Sequence, residues 1–526
     1  MTTASNPAVP ALPVKAVYSL NRPMITLAVM LATIIQTLDG TIANVALPHM
    51  QGSLSASSDQ ITWVLTSYIV AAAIATPLTG WLCDRFSQKS VFMVSVGGFT
   101  VASVLCGLSD SLTQIVLARL LQGLFGAALV PLSQAVMLEI NPAEKRGSAM
   151  AIWGMGVMVG PIIGPTLGGW LTDSYDWRWV FFINLPVGAL ALYGIWRYLE
   201  TVPARRGMSF DSFGFAMVAL AIGALQMLLD RGEQNDWLGS TETWVELLLF
   251  IISAAFLVAH IATTPREKAF IDVRVFMDQN YATGVFFIFI VGAVLYATRA
   301  LTPPMLQGLM GYPVATAGLV TAPSGAGTML SMFIVGKLVG KVDLRLLLLA
   351  GFGVTAFSLW QMTHYTLVLS EGDIVWPGLI QGMGLGLVFV PLSAASFSTL
   401  KPTMFAQATS TYSLVRNIGS SIGISMVQTL LVRNTQIAHS SLAEKVTSGQ
   451  LALQGLQGSA GFGAQTAAGL EMLNGEVTRQ AAMIAYVDDF ILMFMLTLAM
   501  IPLLLLIKPV KRSEGNSAAA AHAVAD

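Results

Sequence analysis

The sequence predicts an all-α membrane protein of fourteen transmembrane helices, built as two six-helix bundles in pseudo-twofold parallel repeat with two further spans inserted between them. Three observations predict it. Of the 526 residues, 55% are hydrophobic and only 10% charged, where a soluble chain carries about a quarter charged. Apolar stretches of roughly twenty residues, the length a helix needs to cross about 30 Å of hydrocarbon, recur from end to end. The two halves of the chain also resemble each other at a nearly constant offset. In hydrocarbon only a helix or a closed barrel satisfies its own backbone, and runs this apolar favour helices.

The elements follow in order. Residues 1–23 are a cytoplasmic tail carrying Lys15 and Arg22; no small-residue cleavage site follows, so the first apolar run reads as a retained span. The first bundle, 24–199, holds spans at about 24–46, 61–82, 90–110, 112–135, 148–171 and 179–198. The insert, 200–279, holds spans at about 212–229 and 243–262. The second bundle, 280–512, holds spans at about 280–302, 314–336, 344–365, 374–397, 405–431 and 485–507, with an outer loop at 434–483 rich in Ala, Gly, Gln and Ser. Residues 513–526 form a short Ala-rich tail, expected to be disordered.

Lysine and arginine orient the chain, because cytoplasmic loops hold the excess. With both termini inside, the cytoplasmic segments hold Arg85, Lys89, Lys145, Arg146, Arg205, Arg206, Lys337, Lys341, Arg345 and Lys401 among others, while the outer segments keep Arg178, Arg231, Arg433, Lys445 and Arg479. Cys83 and Cys106 then lie near opposite faces of the bilayer, too far apart for a disulfide.

The internal repeat has an offset of about 256–260 residues. Leu121-Gln122-Gly123 leading into Val130-Pro131-Leu132-Ser133 recurs as Ile380-Gln381-Gly382 leading into Val390-Pro391-Leu392-Ser393. Pro48, Gln51 and Gly52 recur as Pro304, Gln307 and Gly308, and Gly80-Trp81-Leu82 as Gly336-Lys337-Leu338. The offset pairs span 1 with 9, 2 with 10 and 4 with 12, each pair crossing in the same direction. Two such bundles around a midplane cavity support rocking, alternating-access transport.

Asp39 in span 1 is the residue to single out. A charged Asp at a helix centre costs about 2.5–3.5 kcal/mol on insertion scales, so it should face a cavity or a partner. Arg119 in span 4 is the candidate partner: both stand about seven residues, roughly 10 Å, inside the outer ends of their helices. Arg119, Gln122, Gly123 and Gly126 share one face of span 4. Span 5 repeats glycine at Gly156, Gly160, Gly164 and Gly168 with Pro161 and Pro165 adjoining, a groove for close helix approach. The loop from Gly80 to Lys89 carries Asp84 and Arg85 and reads as a gate or as a plain basic loop. Gln36, Gln226 and Gln381 are candidate hydrogen-bonders for a substrate cavity or helix bridges, as is Gln122, and Arg416 lies deep in span 13 without an identified partner. Arg299, near the outer end of span 9, is placed to snorkel. The 26 methionines suit an adaptable cavity, though most face lipid or core.

These residues resemble the major facilitator superfamily, in its fourteen-span drug:proton antiporter branch of the EmrB/QacA type. The most specific element is Leu38-Asp39-Gly40-Thr41-Ile42-Ala43-Asn44-Val45-Ala46-Leu47-Pro48, similar to the branch's first-helix signature with Gly40 and Ala43 as departures. Leu229-Asp230-Arg231-Gly232 with Asp236-Trp237 resembles the EmrB-type members in particular. Gly160-Pro161-Ile162-Ile163-Gly164-Pro165 resembles the antiporter motif, and the Gly80–Lys89 loop resembles the signature loop, with Ser87 and Gln88 as departures. The resemblance implies the major facilitator fold, proton coupling at Asp39 tuned by Arg119, and gating at Gly80, Asp84, Arg85, Lys89, Gly160, Pro161, Gly164 and Pro165. A structural pair that only locks two helices is the competing reading of Asp39 and Arg119.

The implied function is proton-coupled export of small amphipathic or hydrophobic compounds, a multidrug efflux activity, across a bacterial inner membrane. Its partners would be the proton, the substrate, membrane lipid, and a periplasmic adaptor with an outer-membrane channel. A proton falling through about 100 mV releases roughly 2.3 kcal/mol, enough to sustain an outward gradient of roughly fifty-fold for a neutral solute. A dedicated metabolite, lipid or siderophore transporter of the same fold, exporting or importing, is the alternative. No enzyme is expected: the five histidines are scattered, no HExxH or GxSxG motif occurs, and no phosphate loop, cofactor or metal set is seen. No basic arm exists to bind nucleic acid.

Overall fold

The computed structural model describes residues 21–201, 210–264, 270, 273–445 and 467–508. Its helices are α1 Arg22–Ser53, α2 in two pieces Trp63–Ala75 and Leu78–Phe86, α3 Gln88–Gly107, α4 Leu112–Ile140, α5 Arg146–Ser174, α6 Trp179–Tyr198, α7 Ser212–Arg231 and α8 Thr241–Thr263. They continue as α9 Gln279–Pro304, α10 Thr316–Leu338, α11 Leu344–Met362, α12 Glu371–Phe397, α13 Phe405–Lys445 and α14 Ala467–Leu503.

The helix ends are written in the sequence. Ser111, Asp211, Asp278 and Asp343 each accept a hydrogen bond from a backbone N–H of the first turn they precede, and Ser370 forms a capping box with Asp373. Such caps satisfy donors that a helix start leaves free. Proline marks the irregularities. The two pieces of α2 meet at 54° across Thr76 and Pro77, and Pro303 and Pro304 lead α9 into a π-turn at Met305–Leu309.

Among the described residues twelve helices are long and apolar enough to cross a membrane, and the bent α2, taken as one span, makes a thirteenth. The helix α13 is too polar to pass the same test. It is nevertheless lined on several sides by protein, packing on α9 and α14 within its own half and on α2, α4 and α7 across the molecule. Side chains such as Ser410, Ser413 and Ser420 are thereby buried away from lipid.

The packing repeats. In the first half α1 lies on α5 and α6, and α4 on α2 and α3; in the second α9 lies on α13 and α14, and α12 on α10 and α11. The close approach has the same cause in both. A Cβ on Gly123 would strike the Tyr68 carbonyl of α2, and one on Gly382, its repeat mate, would strike the Ser324 carbonyl of α10. The inserted α7 and α8 pair with each other, and α7 leans on α2 and α13. An aromatic group of Trp81, Phe210, Phe215 and Phe270 packs at the foot of α7.

The halves meet tightly at the end that carries the 2–3 and 10–11 loops, hereafter the basic end. There Ser148 Oγ donates to the Gly336 carbonyl and Ser410 Oγ to the Thr76 carbonyl, both at 2.6 Å. Gly147 abuts Val339, the Arg146 guanidinium lies 4.8 Å over the Phe405 ring, and Trp153 stacks on Phe389 at 5.9 Å.

One expectation needs correction. The outer loop predicted at 434–483 is helical at both ends, because α13 continues to Lys445 and α14 begins at Ala467. Ala, Leu and Glu recur in both segments, good helix formers that need no lipid, and His439 Nε2 meets Asn474 Oδ1 at 2.9 Å to pair them. Residues 446–466, the predicted tail 513–526 and all but residues 21–23 of the predicted N-terminal tail lie outside the described residues. Cys83 and Cys106 are both free and buried.

Candidate functional site

The helix α1 carries Thr33, Thr37 and Thr41 on successive turns, and their hydroxyls bond back to the carbonyls four residues earlier, so they place no unpaired polar group in the interior. Asp39 has no such local partner. Its side chain is wholly buried inside the first bundle, between α1, α3, α4 and α6.

Three donors converge on it. Arg119 Nη1 donates to Oδ2 at 2.6 Å, while Gln122 Nε2 and Asn184 Nδ2 donate to Oδ1 at 2.8 and 3.0 Å. Arg119 is itself 1% exposed. Its Nη1 also donates to Gln122 Oε1 at 2.8 Å and its Nε to the Val64 carbonyl at 3.0 Å, and the guanidinium lies 4.4 Å over the Tyr68 ring. Asn184 Nδ2 reaches Ser103 Oγ at 3.0 Å, and that hydroxyl donates to the Phe181 carbonyl at 2.8 Å. Through this network α2, α3, α4 and α6 are tied to one carboxyl on α1. Charge-assisted bonds in a dry site are stronger than in water, and their loss on protonation would be felt by every helix in the network.

Of the expected site residues, the structure brings together Asp39, Arg119 and Gln122; Gln122 belongs to this network and not to an open cavity. Gln36 joins it at the edge, donating to the Tyr68 hydroxyl at 3.2 Å. Gln226 accepts from Ser421 Oγ at 3.1 Å and ties the insert to α13. Gln381, the repeat mate of Gln122, lines a small apolar cavity of about 30 Å³ inside the second bundle with Leu295, Phe352 and Thr355, and its Nε2 has no partner there. Arg416 Nη2 donates to Asn417 Oδ1 at 3.4 Å, leaving Nε without a partner. Arg299 reaches inward to Met158 Sδ at 3.9 Å and does not snorkel.

The gating motifs fall on contacts. A Cβ on Gly80 would sit 3.0 Å from Gln407 of α13, and Lys89 Nζ donates to the Trp196 carbonyl at 2.8 Å, while Arg85 is exposed beside the half-buried Asp84. Gly160 and Gly164 lie against Thr37 and Thr41 of α1, and Thr41 Oγ1 donates to the Gly160 carbonyl at 3.1 Å. Pro161 and Pro165 remove donors from α5, which still runs unbroken; Pro161 is half-buried and Pro165 exposed. Sequence reasoning missed Asn184, Ser103 and Tyr68. A lone Asn at the start of an otherwise apolar span was the signal available for Asn184.

Outside the membrane, Asp211 at the foot of α7 accepts from Gly214 N–H and Phe270 N–H and meets His260 Nε2 at 2.9 Å. Burial works to raise its carboxyl, but these bonds outweigh it and hold the group below the usual carboxylate value.

Comparison with known proteins is consistent along most of the chain. The family model described as Major Facilitator Superfamily matches residues 29–424. The fatty acid resistance protein FarB of Neisseria gonorrhoeae is 35% identical over 505 residues, covering 94% of this chain and 97% of that protein. The multidrug export protein EmrB of Escherichia coli is 36% identical over 427 residues, covering 80% and 83%. Among solved structures, the proton:xylose symporter XylE matches with a TM-score of 0.57 at 14% identity, covering 91% of this chain and 95% of that one. The human organic anion transporter MFSD10 matches with a TM-score of 0.56 at 13% identity, covering 90% and 98%. At these identities the structures speak for the fold alone.

Proposed function

The chain belongs to the Major Facilitator Superfamily, and from that premise we propose that it is a proton-coupled antiporter exporting small amphipathic or hydrophobic compounds by alternating access, with Asp39 as proton carrier. The observation that carries the reading is the wholly buried Asp39 carboxylate held by Arg119, Gln122 and Asn184. As an anion it accepts all three donors. Once protonated it gives up the charge that holds Arg119, and the clamp on α4 and α6 loosens. Arginine keeps its own charge throughout, so it tunes the site without carrying the proton. Gly160 and Gly164 allow α5 to slide along the same helix that carries the acid. The tight seam at the basic end is the gate that must open for substrate to enter from that side.

The substrate class follows the relatives, of which one is named for multidrug export and another for fatty acid resistance. The 35% identity to FarB over nearly its whole length supports a second reading, a dedicated exporter of fatty-acid-like amphiphiles. The charge asymmetry of the loops supports a bacterial inner membrane location with both termini in the cytoplasm. In that orientation the ends of α13 and α14 stand on the periplasmic side, where an adaptor leading to an outer-membrane channel would meet them.

The test is efflux of ethidium or a fatty acid in inverted vesicles under an imposed pH gradient. Asp39→Asn should abolish gradient-driven transport while the protein still reaches the membrane and exchanges substrate passively; gradient-driven rates equal to the unsubstituted protein would refute the reading.

A further inference from the structure

The second half holds an acid that this coupling scheme does not use. Asp489 lies on α14 with its side chain wholly buried, while the preceding Asp488 is exposed. Neither carboxyl oxygen of Asp489 has a hydrogen-bond partner. Tyr486, Phe490 and Met493, on the same side of α14, belong to one apolar cluster with Leu301 of α9 and Val427 of α13. Asp39 has an arginine and two amides; Asp489, among the described residues, has no donor at all.

The charged groups on the packed neighbours are directed elsewhere. On α13, Arg416 bonds Asn417, Arg433 is exposed and His439 bonds Asn474. On α9, Arg299 reaches Met158. Beyond α11, His364 meets the Trp360 carbonyl, and the Tyr365 ring packs on Phe490 at 5.7 Å. Counting inward from the His439–Asn474 bond along α13 and α14 puts Ser425 and Asp489 at about the same depth. Ser425 is likewise buried with its hydroxyl unpaired.

An ionised carboxylate with neither donor nor counter-ion in such surroundings costs several kcal/mol, whereas the neutral acid is tolerated. A route for the proton is also present. Tyr486, one turn outward of Asp489, and Ala482, two turns outward, form a wall of a cavity of about 400 Å³ at the outer end of the second half, completed by Leu431 and Thr435 of α13 and by Gly308 and Leu309 of the π-turn. Tyr486 belongs both to that wall and to the apolar cluster it shares with Phe490.

We propose that Asp489 is a second proton-binding site, in the opposite half of the molecule from Asp39, loaded from the outer end through the cavity walled by Tyr486. The step is a plain transfer: hydronium in the cavity gives its proton to the carboxylate and leaves as water. Two acids in two environments then hold different charge states in one conformation, Asp39 as the paired anion and Asp489 as the neutral acid. The site is independent of the export reading, since its occupancy does not depend on what the chain carries.

Infrared spectroscopy of the purified full-length protein in lipid bilayers at neutral pH tests it through the carbonyl stretch of protonated carboxyl groups and its shift in D2O. Asp489→Asn should remove one such band, and Asp489→Glu should move the same band without removing it. Asp39→Asn, and Glu246→Gln at another buried carboxyl without partners, should leave that band in place. A band pattern unchanged by both substitutions at position 489 would overturn the proposal. Since Asn reproduces the shape of the neutral acid, helical circular dichroism of Asp489→Asn should match the unsubstituted protein.

Discussion

Removing the guanidinium of Arg119 is the perturbation whose size the structure sets most directly. Arg119→Ala deletes the 2.6 Å bond to Asp39, the 2.8 Å bond to Gln122, the 3.0 Å bond to the Val64 carbonyl and the stack on Tyr68. It leaves Asp39 wholly buried with two amide donors and no cation. Breaking a buried pair by removing one partner costs about 3–5 kcal/mol, because an uncompensated charge remains. Replacing Asp39 as well removes that charge, so Arg119→Ala with Asp39→Asn should recover about 0.5–3 kcal/mol of the single variant's loss. The assay is equilibrium unfolding in mixed detergent micelles followed by helical ellipticity. A single variant within about 0.5 kcal/mol of the unsubstituted protein, the range of an ordinary surface change, would refute the reasoning. So would a double variant whose loss is the sum of the two singles.

Three further expectations follow from the packing. Gly160→Val puts side-chain atoms into the Thr37 backbone and should cost about 1–3 kcal/mol with loss of export, whereas Gly40→Ala, with nothing within 4 Å of the added Cβ, should leave both unchanged; equal effects would contradict the groove. Ser148→Cys with Gly336→Cys and Ala151→Gly, the last clearing the Ala151 Cβ that would otherwise lie 2.7 Å from the new Cβ at 336, should form a disulfide under oxidation that blocks export, with export restored on reduction. Free export by the cross-linked protein would show that the basic-end seam need not open. Asp211, held below the usual carboxylate value, should stabilise the foot of α7 above the unfolded value of about 3.9 and lose that contribution as pH falls through its lower folded value. Proteolysis at the exposed end of the insert should therefore rise below about pH 4, and Asp211→Asn should remove that pH dependence.

Much of this architecture was legible because lipid imposes a simple rule on sequence. Apolar runs mark α1 to α12, and the recurrence of Gln122-Gly123 as Gln381-Gly382 reported the parallel repeat before any packing was seen. Equal depth in two spans was enough to suggest Asp39 with Arg119. What stayed hidden depends on neighbours in space. Asn184 stands alone at the start of α6, and nothing in its local sequence says that Asp39 lies 3.0 Å away. Asp488 and Asp489 fall inside the predicted span 485–507 without being singled out, because sequence alone does not tell the two apart; only burial separates the one from the other. The extension of α13 and α14 beyond the bilayer was missed because hydropathy detects crossing, and these segments are helical for reasons of propensity and mutual pairing. The polar character of α13 became intelligible once α2, α4, α7, α9 and α14 were seen around it.

The account turns on whether proton entry during transport runs through Asp39. Purified protein reconstituted in liposomes with a pH-sensitive dye inside reports proton influx on adding substrate to the interior-facing side of the exchange. The account predicts substrate-dependent influx in the unsubstituted protein and none in Asp39→Asn, with passive substrate exchange retained. Substrate-dependent influx at the full rate in Asp39→Asn would contradict it.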